Sequence, residues 1–295
     1  MSLLKRIKIA TIGAPDLDAI KPLYKDWIGY SVISEGIIRD ELAASWGTPD
    51  TGGRPYILMQ PESGVDVFIR AIQIDPVPDY KPMTTYGWNA IEIIIDAVDD
   101  LHEKLKLSPF TIIGEPRNLG SYKTIRAMQV TGPANEVLYL TCETGDRSDS
   151  LLPLPKAFVG RPFIMVVAGP NIQRLQDWYA NKFQMEKRDI RDSNIDIIQR
   201  AQDLPEDHFH QITILRMENH GNILELDGYP ANSKPRPRNE GQLPPGVAMT
   251  SLTVADLNAL NLDYIMPPIA GYGGSRTATV VGPAGELIEL IEEEI

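Results

Sequence analysis

The chain has 295 residues, 43% of them hydrophobic, one cysteine and a formal net charge of -12 at pH 7. That length and apolar content can bury one large or two ordinary cores, while the negative balance repels phosphate backbones and no local basic patch offsets it. A single cysteine excludes an internal disulfide, no apolar run approaches the ~20 residues of a membrane span, and the N-terminal stretch lacks the features of a signal peptide. A small molecule is the expected partner, with neither nucleic acid nor membrane, in the cytoplasm; a homodimer stays open.

In chain order, a first unit spans about 5–72. Residues 7–12 alternate as a strand, and Asp16 is placed to cap a helix carrying Ile20, Leu23, Tyr24 and Trp27, with Pro22 early enough to be tolerated. A strand at 30–36 follows, then an irregular stretch with Trp46 and Gly52-Gly53, and a hairpin of 56–60 with 65–70. The second unit, 84–143, has a strand at 90–95, a helix capped by Asp99 with Leu101 and Leu105, a strand at 110–113 and a hairpin within 126–140. Cys142 reads as a small buried hydrophobe at its end.

The polar, proline-bearing stretch 144–160 reads as a linker, with a boundary near 152 that divides the chain into domains 1–152 and 153–295. The third unit, 161–228, opens with a strand at 163–167, places Asn171 before a helix with Ile172, Leu175, Trp178, Tyr179 and Phe183, and closes on a hairpin of 211–217 with 222–226. Its helix aligns Tyr179 with Tyr24 and Phe183 with Ile28. The fourth, 246–292, has a strand at 247–254, a short helical piece at 256–260 and a hairpin of 276–281 with 286–291 around Gly282-Pro283-Ala284-Gly285. RAMQVTGPANEVLYL at 126–140 matches RTATVVGPAGELIEL at 276–290 through the arginine, the strand and the Gly-Pro turn, so the chain reads as repeats of a βαβββ unit.

A βαβββ unit with an aromatic-rich helix and a GPxGxxIEL hairpin resembles the vicinal oxygen chelate superfamily, which includes glyoxalase I, bleomycin-resistance proteins and extradiol dioxygenases. The resemblance implies an α+β fold in which paired units form two curved mixed sheets, each with a ligand on its concave face. Pairing of units one with two and three with four is the simplest arrangement; one with four is the alternative. It also implies a divalent metal, held by two imidazoles and a carboxylate from first and last strands. Counting from helix starts puts the first-strand positions at Ile9, Ala90, Ile164 and Met249, and counting from the hairpin turns puts the last-strand positions at Phe68, Tyr139, Glu225 and Glu289. The first set offers no ligand, so no cofactor is assigned; a divalent metal stays open only off the inherited site, where His208 and His210 could reach one ion with Glu225.

Glu225 and Glu289 are the candidate catalytic acid and base, the work of carboxyls held in apolar pockets; inherited structural acids are the plain alternative. The ligand is expected in a cup of residues 161–292, where Glu289 would meet Ile164 and Met249, with Phe68 and Tyr139 at the matching positions. Arg126 and Arg276, at equivalent places in the repeat, could point guanidinium groups at an anionic ligand or pair with surface acids. Trp46, Tyr56, Trp88, Tyr122 and Tyr272 are candidates for an aromatic lining, whereas Trp27, Tyr24 and Tyr179 read as core. Two functions stay open: a glyoxalase- or dioxygenase-like enzyme (lyase, isomerase or dioxygenase) acting on a small oxygenated or aromatic molecule, or a non-catalytic protein that sequesters one in the manner of bleomycin-resistance proteins.

Overall fold

The computed structural model describes residues 2–120, 122–148 and 150–293. Unit one comprises β1 (Ile7–Ala14), α1 (Leu17–Leu23), a π-helical turn (Tyr24–Ile28), β2 (Tyr30–Ile37), α2 (Asp40–Ser45), β3 (Pro55–Pro61) and β4 (Phe68–Gln73). Unit two comprises β5 (Gly87–Ile95), α3 (Val98–Leu105), β6 (Thr111–Leu119), β7 (Tyr122–Thr131) and β8 (Val137–Glu143). Unit three runs β9 (Val159–Gly169), α4 (Ile172–Phe183), β10 (Arg191–Ser193), α5 (Asp196–Ala201), β11 (His210–Arg216) and β12 (Ile223–Gly228). Unit four runs β13 (Gly246–Val254), β14 (Ile269–Ala270), β15 (Arg276–Val281) and β16 (Leu287–Glu292), with turns where a short helix was expected at 256–260.

The helix starts follow from side-chain caps. Asp16 accepts from the backbone N–H groups of Asp18 and Ala19, and Asn171 accepts from that of Arg174 at 2.8 Å, each satisfying donors that the first helical turn leaves free. Asp99 does not cap α3: Ala97 holds that position, and Asp99 sits inside the first turn, tied to Arg126. The π-helical turn stops at Gly29, whose φ of 76° is open to glycine without strain.

Sheet topology corrects the expected pairing of units. One eight-stranded sheet has the order β14-β15-β16-β13-β1-β4-β3-β2 and the other β10-β11-β12-β9-β5-β8-β7-β6. Unit one therefore joins unit four, through antiparallel β1 and β13, and unit two joins unit three, through antiparallel β5 and β9. A cut near 152 separates two units that share a sheet. The joint consists of main-chain hydrogen bonds between first strands, which any residue but proline can make, so side-chain pattern does not specify the partner.

The convex faces of both sheets and the helices α1, α3 and α4 meet in one continuous core that includes Ile20, Tyr24, Leu101, Leu105, Tyr179 and Phe183. Cys142 is buried there. Within this core the Gly-Pro turns are latched twice in the same way. Tyr24 of unit one donates its hydroxyl to Glu136 of unit two at 3.0 Å, and Tyr179 of unit three donates to Glu286 of unit four at 2.9 Å. The second oxygen of each carboxyl accepts a turn N–H, from Ala134 and Ala284 respectively. A Cβ at Gly132 or Gly282 would lie 2.0 Å from the latching carboxyl, which is why glycine opens both turns.

Candidate functional site

The two concave faces hold separate apolar clusters. In the cup of units one and four, Met249, Leu287, Ile72 and Ile74 pack with Leu42, Ala43 and Trp46, which α2 and its C-cap residue bring over the sheet. In the cup of units two and three, Ala90, Ile94, Ile164, Val166 and Ile223 pack with Ile197 and Ile198 of α5. Neither α2 nor α5 was anticipated from sequence; each is a six-residue helix inside a loop, too short for the 3.6-residue period to stand out. Met249 and Ile164 lie in different cups, so the expected grouping of both around Glu289 is corrected.

The residues that pair with the last-strand acids lie two positions further along the first strands than Ile164 and Met249, on the same face. Ser251 pairs with Glu289 and Thr11 with Arg70 in one cup; Glu92 pairs with Tyr139 and Val166 with Glu225 in the other. Thr11, Glu92, Val166 and Ser251 thus stand one step along the same face from Ile9, Ala90, Ile164 and Met249, as Arg70 does from Phe68. Residues two apart share a face of a strand, so hydrophobic alternation does not distinguish these two sets. Phe68 lies on the face of Arg70 but two residues away, partly buried beneath Lys8, whose Nζ is 5.7 Å from the ring centroid. Two further inward carboxyls, Glu92 and Asp227, were not singled out from sequence.

Glu289 in the cup of units one and four is fully buried and saturated. Its Oε1 accepts from Trp46 Nε1 at 2.8 Å and from the Tyr272 hydroxyl at 2.9 Å; its Oε2 accepts from the Ser251 hydroxyl and from Arg70 at 3.2 Å. Arg70 also donates to Thr11 Oγ1 and to the Tyr272 hydroxyl, and its guanidinium lies 4.8 Å from the Trp46 ring centroid. Burial acts to lower the Arg70 pKa, but Tyr272 and Glu289 outweigh it and hold the guanidinium charged. Burial pushes the Tyr272 phenol up. A carboxylate with both oxygens engaged has no lone pair directed at a substrate, so this is a structural ion pair, and the catalytic role expected of Glu289 is corrected.

The cup of units two and three is charged differently. Glu92 is buried and accepts from Thr141 Oγ1 at 2.5 Å. Burial, then the neighbouring Glu225, pushes Glu92 up to about 8; burial pushes Glu225 up to about 7. Asp227, two residues beyond Glu225 on the same face of β12, is raised well above the usual carboxylate range by burial, Glu225 and Glu92. Tyr139 and Glu225 keep accessible surface although residues around them are buried, so the floor of the cup borders a space. A cleft of about 370 Å³ between β6 and α5, lined by Gly114, Glu115, Arg117, Asp196 and Arg200, lies beside it; a Cβ at Gly114 would meet Gln129 and Ile197 of the cup.

Other expected site residues lie elsewhere. Arg126 makes a bidentate pair with Asp99 at 2.8 Å, and Arg276 makes one with Glu292 at 2.7 Å, so both guanidinium groups serve surface carboxylates. Trp88 belongs to the convex core and donates Nε1 to the Leu287 carbonyl at 2.7 Å, Tyr122 is exposed, and Tyr56, Trp46 and Tyr272 border the cup of units one and four. His210 is buried against Tyr229 and His208, with ring centroids 6.3 and 4.8 Å away. Among the described residues no group of three or more His, Cys, Asp or Glu side chains is placed to hold a metal ion, and no helix is long and apolar enough to cross a membrane.

No family model matches the chain, and no curated protein matches it in sequence. In structure it is similar to glyoxalase I from Zea mays, 18% identical with a TM-score of 0.62 over 97% of this chain and 92% of that one. It is also similar to a candidate dioxygenase from Bacillus subtilis, 9% identical with a TM-score of 0.67 over 99% of this chain and 86% of that one. The chain carries the vicinal oxygen chelate fold. That fold implies a divalent metal on the first- and last-strand positions, and the residues there do not fit one. In the cup of units one and four the four positions are Thr11, Arg70, Ser251 and Glu289, where a guanidinium already neutralises the only carboxylate. In the other they are Glu92, Tyr139, Val166 and Glu225: no imidazole, and a valine where a donor is needed.

Proposed function

We propose that this protein is an enzyme acting on a small oxygenated or aromatic molecule in the cup of units two and three, by proton transfer between carboxyls. The observation that carries the reading is the pair Glu225 and Glu92, set on last and first strands of partnered units with pKa values raised to about 7 and about 8. Carboxyls raised in this direction stay partly protonated near neutral pH, so one can accept a proton while another donates. Glu225, the group with accessible surface, takes a proton from an acidic C–H or O–H of the substrate. Glu92, steadied by Thr141, returns one to the oxygen that gains charge, and the Tyr139 hydroxyl on the neighbouring strand can donate a hydrogen bond to that oxygen.

Deuterium exchange tests this: a panel of α-hydroxy carbonyl compounds in D2O is followed by NMR for enzyme-dependent C–H exchange. Exchange that Glu225→Gln abolishes, with binding by thermal shift retained, supports the reading. Exchange equal in both proteins would sink it. The apolar wall of Ile164, Val166, Ile197 and Ile198 favours a second reading, sequestration without turnover; binding with no exchange or product across the panel would select it.

A further inference from the structure

The two cups are built from equivalent strands, and their differences in charge point to a class of ligand. Arg70 and Glu225 both lie on the last strand of a long unit opposite its first strand, and Glu289 and Tyr139 both follow a Gly-Pro turn in a short one. In the cup of units one and four the chain supplies both a carboxylate and its cation, Glu289 and Arg70, 3.2 Å apart. In the cup of units two and three, Glu225 stands where Arg70 would be, and Glu92 and Asp227 add two further carboxyls. Burial raises all three, Glu225 adds to the shift of Glu92, and Glu225 and Glu92 add to that of Asp227, with no lysine or arginine among the causes.

Unmet polar groups mark where a ligand would sit. Asp227 is 1% exposed and neither of its oxygens has a hydrogen-bond partner. His210, whose pKa burial and then His208 lower against a weak contact with the Gly228 backbone, is also 1% exposed, with no well-formed hydrogen bond at either ring nitrogen. It lies on the same face, packed on Tyr229, whose hydroxyl is buried and unpartnered as well. Buried polar atoms left without partners are destabilising, so three such side chains together call for an occupant with several donors. Arg236, near Tyr229, donates through Nε to Thr85 Oγ1 and through Nη1 to the Val247 carbonyl and stacks 5.1 Å from the Tyr80 ring centroid, while its Nη2 is buried without a partner; it makes no ion pair with Asp227 or Glu225.

We propose that the cup of units two and three, taken as the ligand site argued above, receives its ligand as an organic cation, an ammonium group seated on Asp227 and Glu225 with its carbon body against Tyr139, Val166 and Ile198. The ammonium takes the role that Arg70 plays in the other cup. It has three N–H donors for the Asp227 oxygens, Glu225 and His210, and the faces of Tyr139 and Tyr229 can attract a cation. The overall charge of -12 draws cations toward the molecule. Because burial favours the protonated form of these carboxyls, an ammonium that pairs with them displaces one or more protons as it binds, and the ionised Glu225 is then a stronger base.

The test compares phenethylamine with 2-phenylethanol, equal in shape and differing in charge, by calorimetry on the full chain at pH 7 in two buffers of different ionisation enthalpy. The expected result is an amine affinity at least about tenfold above that of the alcohol, a free-energy difference of about 1.4 kcal/mol, with a buffer-dependent heat that reports proton release. Asp227→Asn and Glu225→Gln, which retain shape while removing charge, should erase that preference. An alcohol that binds as well as the amine, with binding lost on Ile198→Trp, which fills the cup, keeps this cup as the ligand site and overturns the cation. Binding of both that is indifferent to Ile198→Trp, Asp227→Asn and Glu225→Gln, or no binding of either, overturns the cation and the assignment of the cup together.

Discussion

Arg70 and Glu289 form an ion pair 3.2 Å apart, with side-chain exposures of 2% and 0%. Two charges so placed are expensive to desolvate, and the pair stands only because Thr11, Ser251, Trp46 and Tyr272 complete their hydrogen bonds. Arg70→Met should destabilise the protein by about 3–5 kcal/mol, since it leaves the carboxylate buried without its cation. Glu289→Gln should cost a similar amount, and the double variant less than the sum. Urea denaturation of the four proteins checks this; additive single effects would refute the coupling.

Glu225, Glu92 and Asp227 predict an unusual dependence of stability on pH. Their folded-state pKa values are raised above the carboxyl values of the unfolded chain, so between about pH 4.5 and 8 the folded state binds more protons and stability falls as pH rises. Glu136 and Glu286, each raised to about 7 by burial, act in the same direction. The melting temperature of the ligand-free protein should drop from pH 5.5 to pH 8.5. Glu225→Gln should flatten that slope and raise stability at pH 8.5 by about 1–3 kcal/mol. A melting temperature that climbs over this range would contradict the assignment.

The latches Tyr24 to Glu136 and Tyr179 to Glu286 have the same geometry on the same kind of turn. Tyr24→Phe and Tyr179→Phe each remove one buried donor and should cost about 1–3 kcal/mol apiece. Their effects should be alike and additive, because the two turns share no partner. Thermal denaturation of both single variants and the double is the measurement; an effect confined to one latch would show that they are not equivalent.

Purified protein should contain no stoichiometric iron, zinc, nickel or manganese at the inherited positions. The reason is the donor set: Thr11, Arg70, Ser251 and Glu289 in one cup, Glu92, Tyr139, Val166 and Glu225 in the other. Elemental analysis decides the matter. About one metal per chain, lost on Glu225→Gln or Glu289→Gln, would restore metal-dependent chemistry.

The sequence by itself determined the units, the helix that follows the first strand in units one to three, and the class of fold. Strand alternation, the Asp16 and Asn171 caps and the doubled Gly-Pro turn are local signals, each decided by residues a few positions apart. The core tyrosines Tyr24 and Tyr179 were legible for the same reason, as parts of a helical stripe. Glu225 and Glu289 were found because a turn sets the register of its own hairpin. The partner of each unit was not legible, since β1 with β13 and β5 with β9 join through backbone hydrogen bonds that carry no residue code. Only the tertiary structure separated the two acids: it brings Arg70 from 219 positions away onto Glu289, and it sets Glu92 and Asp227 around Glu225 with no cation. A carboxyl becomes a structural ion or a proton carrier by what surrounds it, and those surroundings are assembled from strands far apart in the chain.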